Sequence, residues 1–185
     1  MFLFAAILSA SVIASIFLTA HVVTSAQPTT SGFKYNNYVC TYYNKWNGHG
    51  YEQSQLVGCS HNVVYNNGIN MTRDMLGYDA NYSIRNITLC NASTTVGVPV
   101  AGGNEACTVY AGCGMVSKEG TYGVIQTSGG NWTVYTTFTS TCSNAITNLT
   151  RLTNSSGSAF SGNTFNLVNL SSNDQLTVNW TISVS

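Results

Sequence analysis

The sequence predicts a mainly β protein. A hydrophobic N-terminal α-helix over residues 1–27 is followed by a linker over 28–33 and an antiparallel, immunoglobulin-like β-sandwich over 34–185. Three observations carry this reading. No charged residue precedes Lys34, and Phe2 to Val23 is apolar apart from Ser9, Ser11, Ser15, Thr19 and His21. From Gly32 onward, short runs alternate apolar and polar residues with the period of a half-buried strand. Six cysteines and nine N-x-S/T sequons all lie beyond the linker, as in chains that fold in an oxidising, extracellular setting.

Composition removes several function classes. The 185 residues suffice for one domain and an appendage. Charged residues make up 6%, against about 25% in ordinary soluble domains. Polarity comes from 21 Asn, 23 Thr and 21 Ser. With a net charge of zero there is no basic patch to hold phosphates, so no nucleic acid partner is expected. Coiled coils are excluded because they need charged flanking positions. The 44% hydrophobic and 11% aromatic content supports a packed core rather than disorder.

The leading run is the first element. As a helix, its 22 residues would extend about 33 Å, close to a hydrocarbon core. Pro28 and Thr29–Gly32 end it. Three readings compete. A cleavable signal peptide is suggested by Thr24–Ser25–Ala26, but the run lacks a basic n-region and exceeds the usual length. A lone membrane anchor has only Lys34 and Lys45 to set its orientation. A retained, self-packing helix fits the small-residue stripes: Ala6, Ala10 and Ala14 recur at i+4, and Ser11, Ser15 and Thr19 run beside them. Such stripes let helix backbones approach closely. An all-round apolar helix must be buried in lipid or among other helices. The third reading is favoured, and His21 is then a neutral residue bonded to a carbonyl.

The strands of the body follow in order. Tyr38–Tyr43, Asn62–Tyr65, Tyr82–Leu89, Cys107–Tyr110, Tyr122–Gln126, Asn131–Thr139, Ile146–Leu152, Thr164–Leu170 and Gln175–Ser185 are the expected strands. The last is the clearest: Leu176, Val178, Trp180, Ile182 and Val184 share a face, and Asn179 points away from it. Between Ile84 and Ile87 the alternation slips, as at a bulge. Asn66–Asn67–Gly68 and Val98 to Gly103 read as loops. So many short strands imply a sandwich. Its edges lack the usual Lys and Pro, so they need cover from glycans, loops or another subunit.

Cys40, Cys59, Cys90, Cys107, Cys113 and Cys142 are even in number and show no C-x-x-C spacing. Three disulfides are expected, with fifteen pairings open. Cys107–Cys113 as a local clip and Cys40–Cys59 are the pairs guessed. A metal site at Cys59 with His61 or His49 is the weak alternative, since no second half-site has ligand spacing. No metal or cofactor is expected. The sequons are Asn70, Asn81, Asn86, Asn91, Asn131, Asn148, Asn154, Asn169 and Asn179, where composition alone would give about five. Each is a candidate N-glycosylation site, and Asn and Thr as plain polar filler is the bland alternative.

A neutral apolar helix joined by a short linker to a Thr/Asn-rich, sequon-bearing β domain resembles archaeal type IV pilins and archaellins. The resemblance is one of architecture and carries no sharp motif. It implies that Phe2–Val23 forms a filament core and Gly32–Ser185 an outer sheath, after a charged leader has been clipped. The Glu found near the mature N-terminus of bacterial type IV pilins is absent.

The function expected is therefore a structural subunit of an extracellular, cell-surface filament. It would be a helical homopolymer, held in the membrane before assembly, with a surface or glycan ligand as a further partner. The alternatives are two. One is a secreted fibre subunit whose Gln27–Tyr38 stretch inserts as a strand into the next subunit. The other is a carbohydrate-binding adhesin using exposed aromatics such as Tyr42, Tyr43 and Trp46. An enzyme is the least favoured class. His49 and Glu52 are three apart and Asp74 lies near Asp79, but no catalytic motif accompanies them.

Overall fold

The computed structural model describes residues 35–78, 80–92, 99–100, 107–124 and 130–183. The expected N-terminal helix, its stripe residues Ala6, Ala10, Ala14, Ser11, Ser15 and Thr19, and the expected linker lie outside the described residues. No helix among the described residues is long and apolar enough to cross a membrane.

The chain forms strands β1 (Tyr38–Asn44), β2 (Gln55–His61) and β3 (Val63–Val64), then helix α1 (Asn66–Gly77). Strands β4 (Ile84–Asn91), β5 (Lys118–Glu119), β6 (Thr121–Val124), β7 (Asn131–Thr139), β8 (Ala145–Asn154), β9 (Ala159–Leu170) and β10 (Gln175–Ser183) follow. They make two five-stranded sheets, ordered β2-β1-β10-β7-β6 and β3-β9-β8-β4-β5. All the pairings between these strands are antiparallel.

The inner faces of both sheets share one core. Val39, Val134, Phe138, Leu176, Val178, Trp180 and Ile182 come from the first sheet, and Ile87, Leu89, Ala145, Leu152, Phe160, Val168 and Leu170 from the second. β10 sets the pattern: its residues alternate between buried and half-buried along the whole strand, as period two requires. The expected slip in β4 is present as a register shift between Ile84 and Asn86.

Several expectations are corrected. Asn66–Asn67–Gly68 is not a loop but the start of α1. The helix has poor formers and no side-chain N-cap, so docking holds it rather than propensity. Gly68 and Met71 are buried, and Thr72 back-bonds to the Gly68 carbonyl at 2.9 Å. Gln55–His61, which has no clean alternation, is strand β2; it is an edge with a register shift opposite Thr41/Tyr42. The 107–110 segment contributes only an isolated bridge, Cys90 with Val109. β9 begins at Ala159, five residues before the expected start.

Side chains close the seams between the sheets. At one, Asn163 Nδ2 donates to the Ser60 and His61 carbonyls at 3.3 and 3.0 Å, and Asn166 Nδ2 to Val57 O at 2.9 Å. The edge of β2 is thus capped by amides of the opposite sheet. At the other, Lys118 Nζ donates to Thr137 O at 3.1 Å and sits 5.3 Å from the Phe138 ring centroid. Within the second sheet, Thr147 and Thr150 hydroxyls donate to the carbonyls of Cys90 and Thr88 at 2.8 and 3.1 Å.

Candidate functional site

All six cysteines are paired: Cys40–Cys59, Cys90–Cys107 and Cys113–Cys142. The first was expected, and its residues stand directly opposite on β1 and β2. The Cys107–Cys113 clip is wrong. Cys107 lies beside β4, where Asn91 N–H donates to Thr108 O at 2.8 Å, so its partner is Cys90. Cys113 follows a turn that meets the loop after β7, where Thr141 N–H donates to Cys113 O at 3.0 Å, so its partner is Cys142. Because Cys59 is oxidised, it is no metal ligand. Among the described residues no three His, Cys, Asp or Glu side chains gather.

The first sheet has an unusual chemistry. None of the residues in β1, β2, β6, β7 or β10 is Asp, Glu, Lys or Arg. The second sheet and α1 carry Arg73, Asp74, Arg85, Lys118, Glu119 and Arg151. Strand register places three rows on the outer face of the first sheet. Cys59, Cys40, Asn179, Tyr135 and Thr121 form the middle row. Tyr42, Thr177 and Thr137 lie on one side of it, and Tyr38, Thr181 and Thr133 on the other. Tyr38 is 39% exposed and Tyr135 45%. Tyr38 meets His61 edge-on, with ring centroids 5.2 Å apart. Thr137 and Thr177 share a hydrogen bond of 2.8 Å. Asn179 does lie on this face, but its Oδ1 is buried without a partner.

The aromatics singled out in the sequence divide. Tyr42 lies on the outer face. Tyr43 packs against the core and donates its hydroxyl to Asp174 Oδ2 at 2.8 Å. Asp174, itself 3% exposed, also accepts from Trp46 N–H and Ser171 N–H at 2.8 and 2.9 Å. It thereby ties the β1–β2 loop to the β9–β10 turn. Burial, then the bond and charge of Asp174 and the charge of Glu52, push the Tyr43 phenol up to about 12. Trp46 is half-buried and stacks edge-on with Tyr51, centroids 5.1 Å apart. His49 and Glu52 are exposed in the same loop, where the Asn47 side chain accepts from His49 N–H and Gly50 N–H, each at 3.0 Å.

Two adjoining open hollows of 380 and 450 Å³ follow the seam between β2 and β9, lined in part by Leu56, Val57, Phe165 and Leu167. A third of 310 Å³ lies between α1 and the β8–β9 turn, with Asn70, Asp74, Tyr82 and Asn154 on its wall. Asp74 pairs with Arg73 at 2.8 Å, and Asp79 is outside the described residues.

The sequons differ in access. Asn70, Asn81 and Asn169 are exposed, while Asn86, Asn91, Asn131, Asn148 and Asn179 are half-buried. Asn154 is only 5% exposed. Its Oδ1 accepts from Ser156 N–H, Ser156 Oγ and Ser158 N–H at 3.1, 2.8 and 2.9 Å, an Asx arrangement that closes the β8–β9 turn. The three exposed sequons belong to α1, the approach to β4, and β9.

Comparison with protein-family models, curated proteins and solved structures finds no match. Three disulfides in one chain fit folding in an oxidising, secreted or extracellular environment.

Proposed function

We propose that this chain is the structural subunit of an extracellular, cell-surface filament. Phe2–Val23 would pack among copies of itself at the axis, with the disulfide-bonded, glycosylated, immunoglobulin-like sandwich outside. One observation supports this best. Both sheets, the shared core and all three disulfides are built from residues 35–183. The leading run Phe2–Val23, uncharged and almost wholly apolar, would then be the segment whose burial among copies drives assembly. At about 25 cal/mol per Å², burying such a run yields tens of kcal/mol before entropy. Heterologous contacts repeated without closure produce a filament.

Strand donation by Gln27–Tyr38 has less support. Asn36 N–H already donates to Ser183 O at 3.0 Å, and Tyr38 is paired on both sides within its own sheet. Exposed Asn70, Asn81 and Asn169 are the foremost glycan carriers in this reading.

The test is electron microscopy of native material together with its N-terminal sequence. Filaments with a helical axis, built from chains that retain Phe2–Val23, are expected. Chains beginning at Gln27, or polymers with no helical centre, refute the proposal.

A further inference from the structure

We propose that the outer face of the first sheet is a binding platform for neutral carbohydrate. Three tyrosines mark its extent. Tyr38 and Tyr42 are four residues apart on β1, hence about 13 Å along the strand. Tyr135 stands two strands away, in the row between theirs, hence about 10 Å across. The space inside this triangle holds the hydroxyls of Thr177 and Thr181 and the amide of Asn179.

The chemistry selects the occupant. No Asp, Glu, Lys or Arg occurs in the five strands, and their one imidazole, His61, stands at the β2 end against Tyr38, so the face offers no cluster of charge to a phosphate, an acidic polysaccharide or a charged peptide. A protein partner needs an apolar patch at the centre of its contact. Here the one aliphatic residue in register with the outer rows is Leu56, at the β2 edge opposite Tyr42. What remains is phenol rings, hydroxyls and amides. Sugar rings present C–H faces to aromatic rings and hydroxyls to Thr and Asn, and both needs are met without charge. The exposed sequons lie on α1, before β4 and on β9, so sugar attached there leaves this face open, and the two sequons of this sheet, Asn131 and Asn179, are half-buried, with Asn179 Oδ1 covered. The platform goes beyond the filament proposal and does not rest on it.

Affinity electrophoresis of the full oxidised chain tests this, in native gels containing mannan, xyloglucan or dextran, with heparin and polygalacturonate as charged controls. Retardation is expected in at least one neutral gel. It should be unaffected by raising salt to about 1 M, because no ion pair contributes. Tyr135→Ala and Tyr38→Ala should each weaken binding roughly tenfold, while Tyr135→Phe stays within about twofold, since the ring rather than the hydroxyl does the stacking. Leu167→Ala, an exposed change on β9, should leave binding unchanged. Urea midpoints of all variants exclude unfolding as the cause. The proposal is overturned by retardation in no neutral gel, by retention in the charged gels alone, or by undiminished binding of both alanine variants. Self-association lost in Tyr135→Ala, without any polysaccharide binding, overturns it in favour of a contact between copies. Filament formation is scored separately by microscopy, so either proposal can fail alone.

Discussion

Replacing Gly68 by alanine sets two opposed effects against each other on α1. In an unconstrained helix the change stabilises by about 0.8–1 kcal/mol. Here the added Cβ would run into the backbone carbonyl of Phe160, with its carbon at 2.9 Å and Val64 Cγ1 also at 2.9 Å. The carbonyl cannot swing aside, because it accepts the Tyr65 N–H at 3.1 Å. The helix must back away from β9 instead. Overpacking costs about 1–3 kcal/mol, and weakening the Tyr65 bond adds about 1 kcal/mol. After the propensity gain, the net loss is about 1–3 kcal/mol. With a urea slope of about 2 kcal/mol/M, the midpoint falls by about 0.5–1.5 M. Gly77 on the same helix is the control: a Cβ there meets nothing within 4 Å. Gly77→Ala should be neutral or stabilise by up to about 1 kcal/mol. The assay is urea unfolding of the oxidised chain, followed by tryptophan fluorescence and far-ultraviolet circular dichroism. A Gly68→Ala midpoint at or above wild type refutes the close docking of α1.

Replacing Cys113 and Cys142 together by serine opens a link across a separation of 29 residues. It should cost about 3–4 kcal/mol by chain entropy, read as a fall in thermal midpoint. A non-reducing digest should yield Cys90 joined to Cys107, and a peptide joining Cys107 to Cys113 contradicts the arrangement. Asn163→Ala leaves the Ser60 and His61 carbonyls without their amide donor and should destabilise by about 2 kcal/mol. Asn166→Ala, at an exposed residue, should change stability by under about 1 kcal/mol, and equal effects from the two would refute the asymmetry of the seam. The Tyr43 phenol is raised to about 12 in the folded chain against 10.0 for the unperturbed group. The folded state therefore holds this proton more tightly than the unfolded state. The contribution is fully present below pH 10.0 and is lost as pH climbs toward about 12. Solvent screening limits it to about 1 kcal/mol. Burial raises the Tyr110 phenol as well, so ultraviolet titration should show one late phenolate fewer in Tyr43→Phe than in the wild type, and identical curves refute the shift.

Local pattern exposed some of this protein and hid the rest. The alternation in Gln175–Ser183 names a strand on its own, because one buried face imposes period two wherever the strand lies. The slip at Ile84 betrayed a register shift for the same reason. Asn66–Gly77 was illegible: its Asn-Asn-Gly start has turn chemistry, and the contacts that make it a helix come from Phe160, more than eighty residues later. Gln55–His61 was hidden because an edge strand buries little and carries no strong alternation.

The candidate site shows the same division. That this chain is nearly uncharged is plain from composition. That the charge is wholly missing from one sheet depends on which strands are neighbours, and the charged stretches interrupt those strands in sequence. The tyrosines followed suit: Tyr42 and Tyr43 are adjacent in the chain, yet one faces solvent and the other bonds to Asp174 inside.

Residue order by itself settled the β character of the body, the even cysteine count and the apolar, uncharged leading run, since each is a property of short stretches or of totals. Only the tertiary structure decided the disulfide partners, the helix docked on β9, the buried turn role of Asn154 and the neutral face of the first sheet. Those depend on long-range packing, where the free energy of bringing distant segments together outweighs what any segment prefers alone.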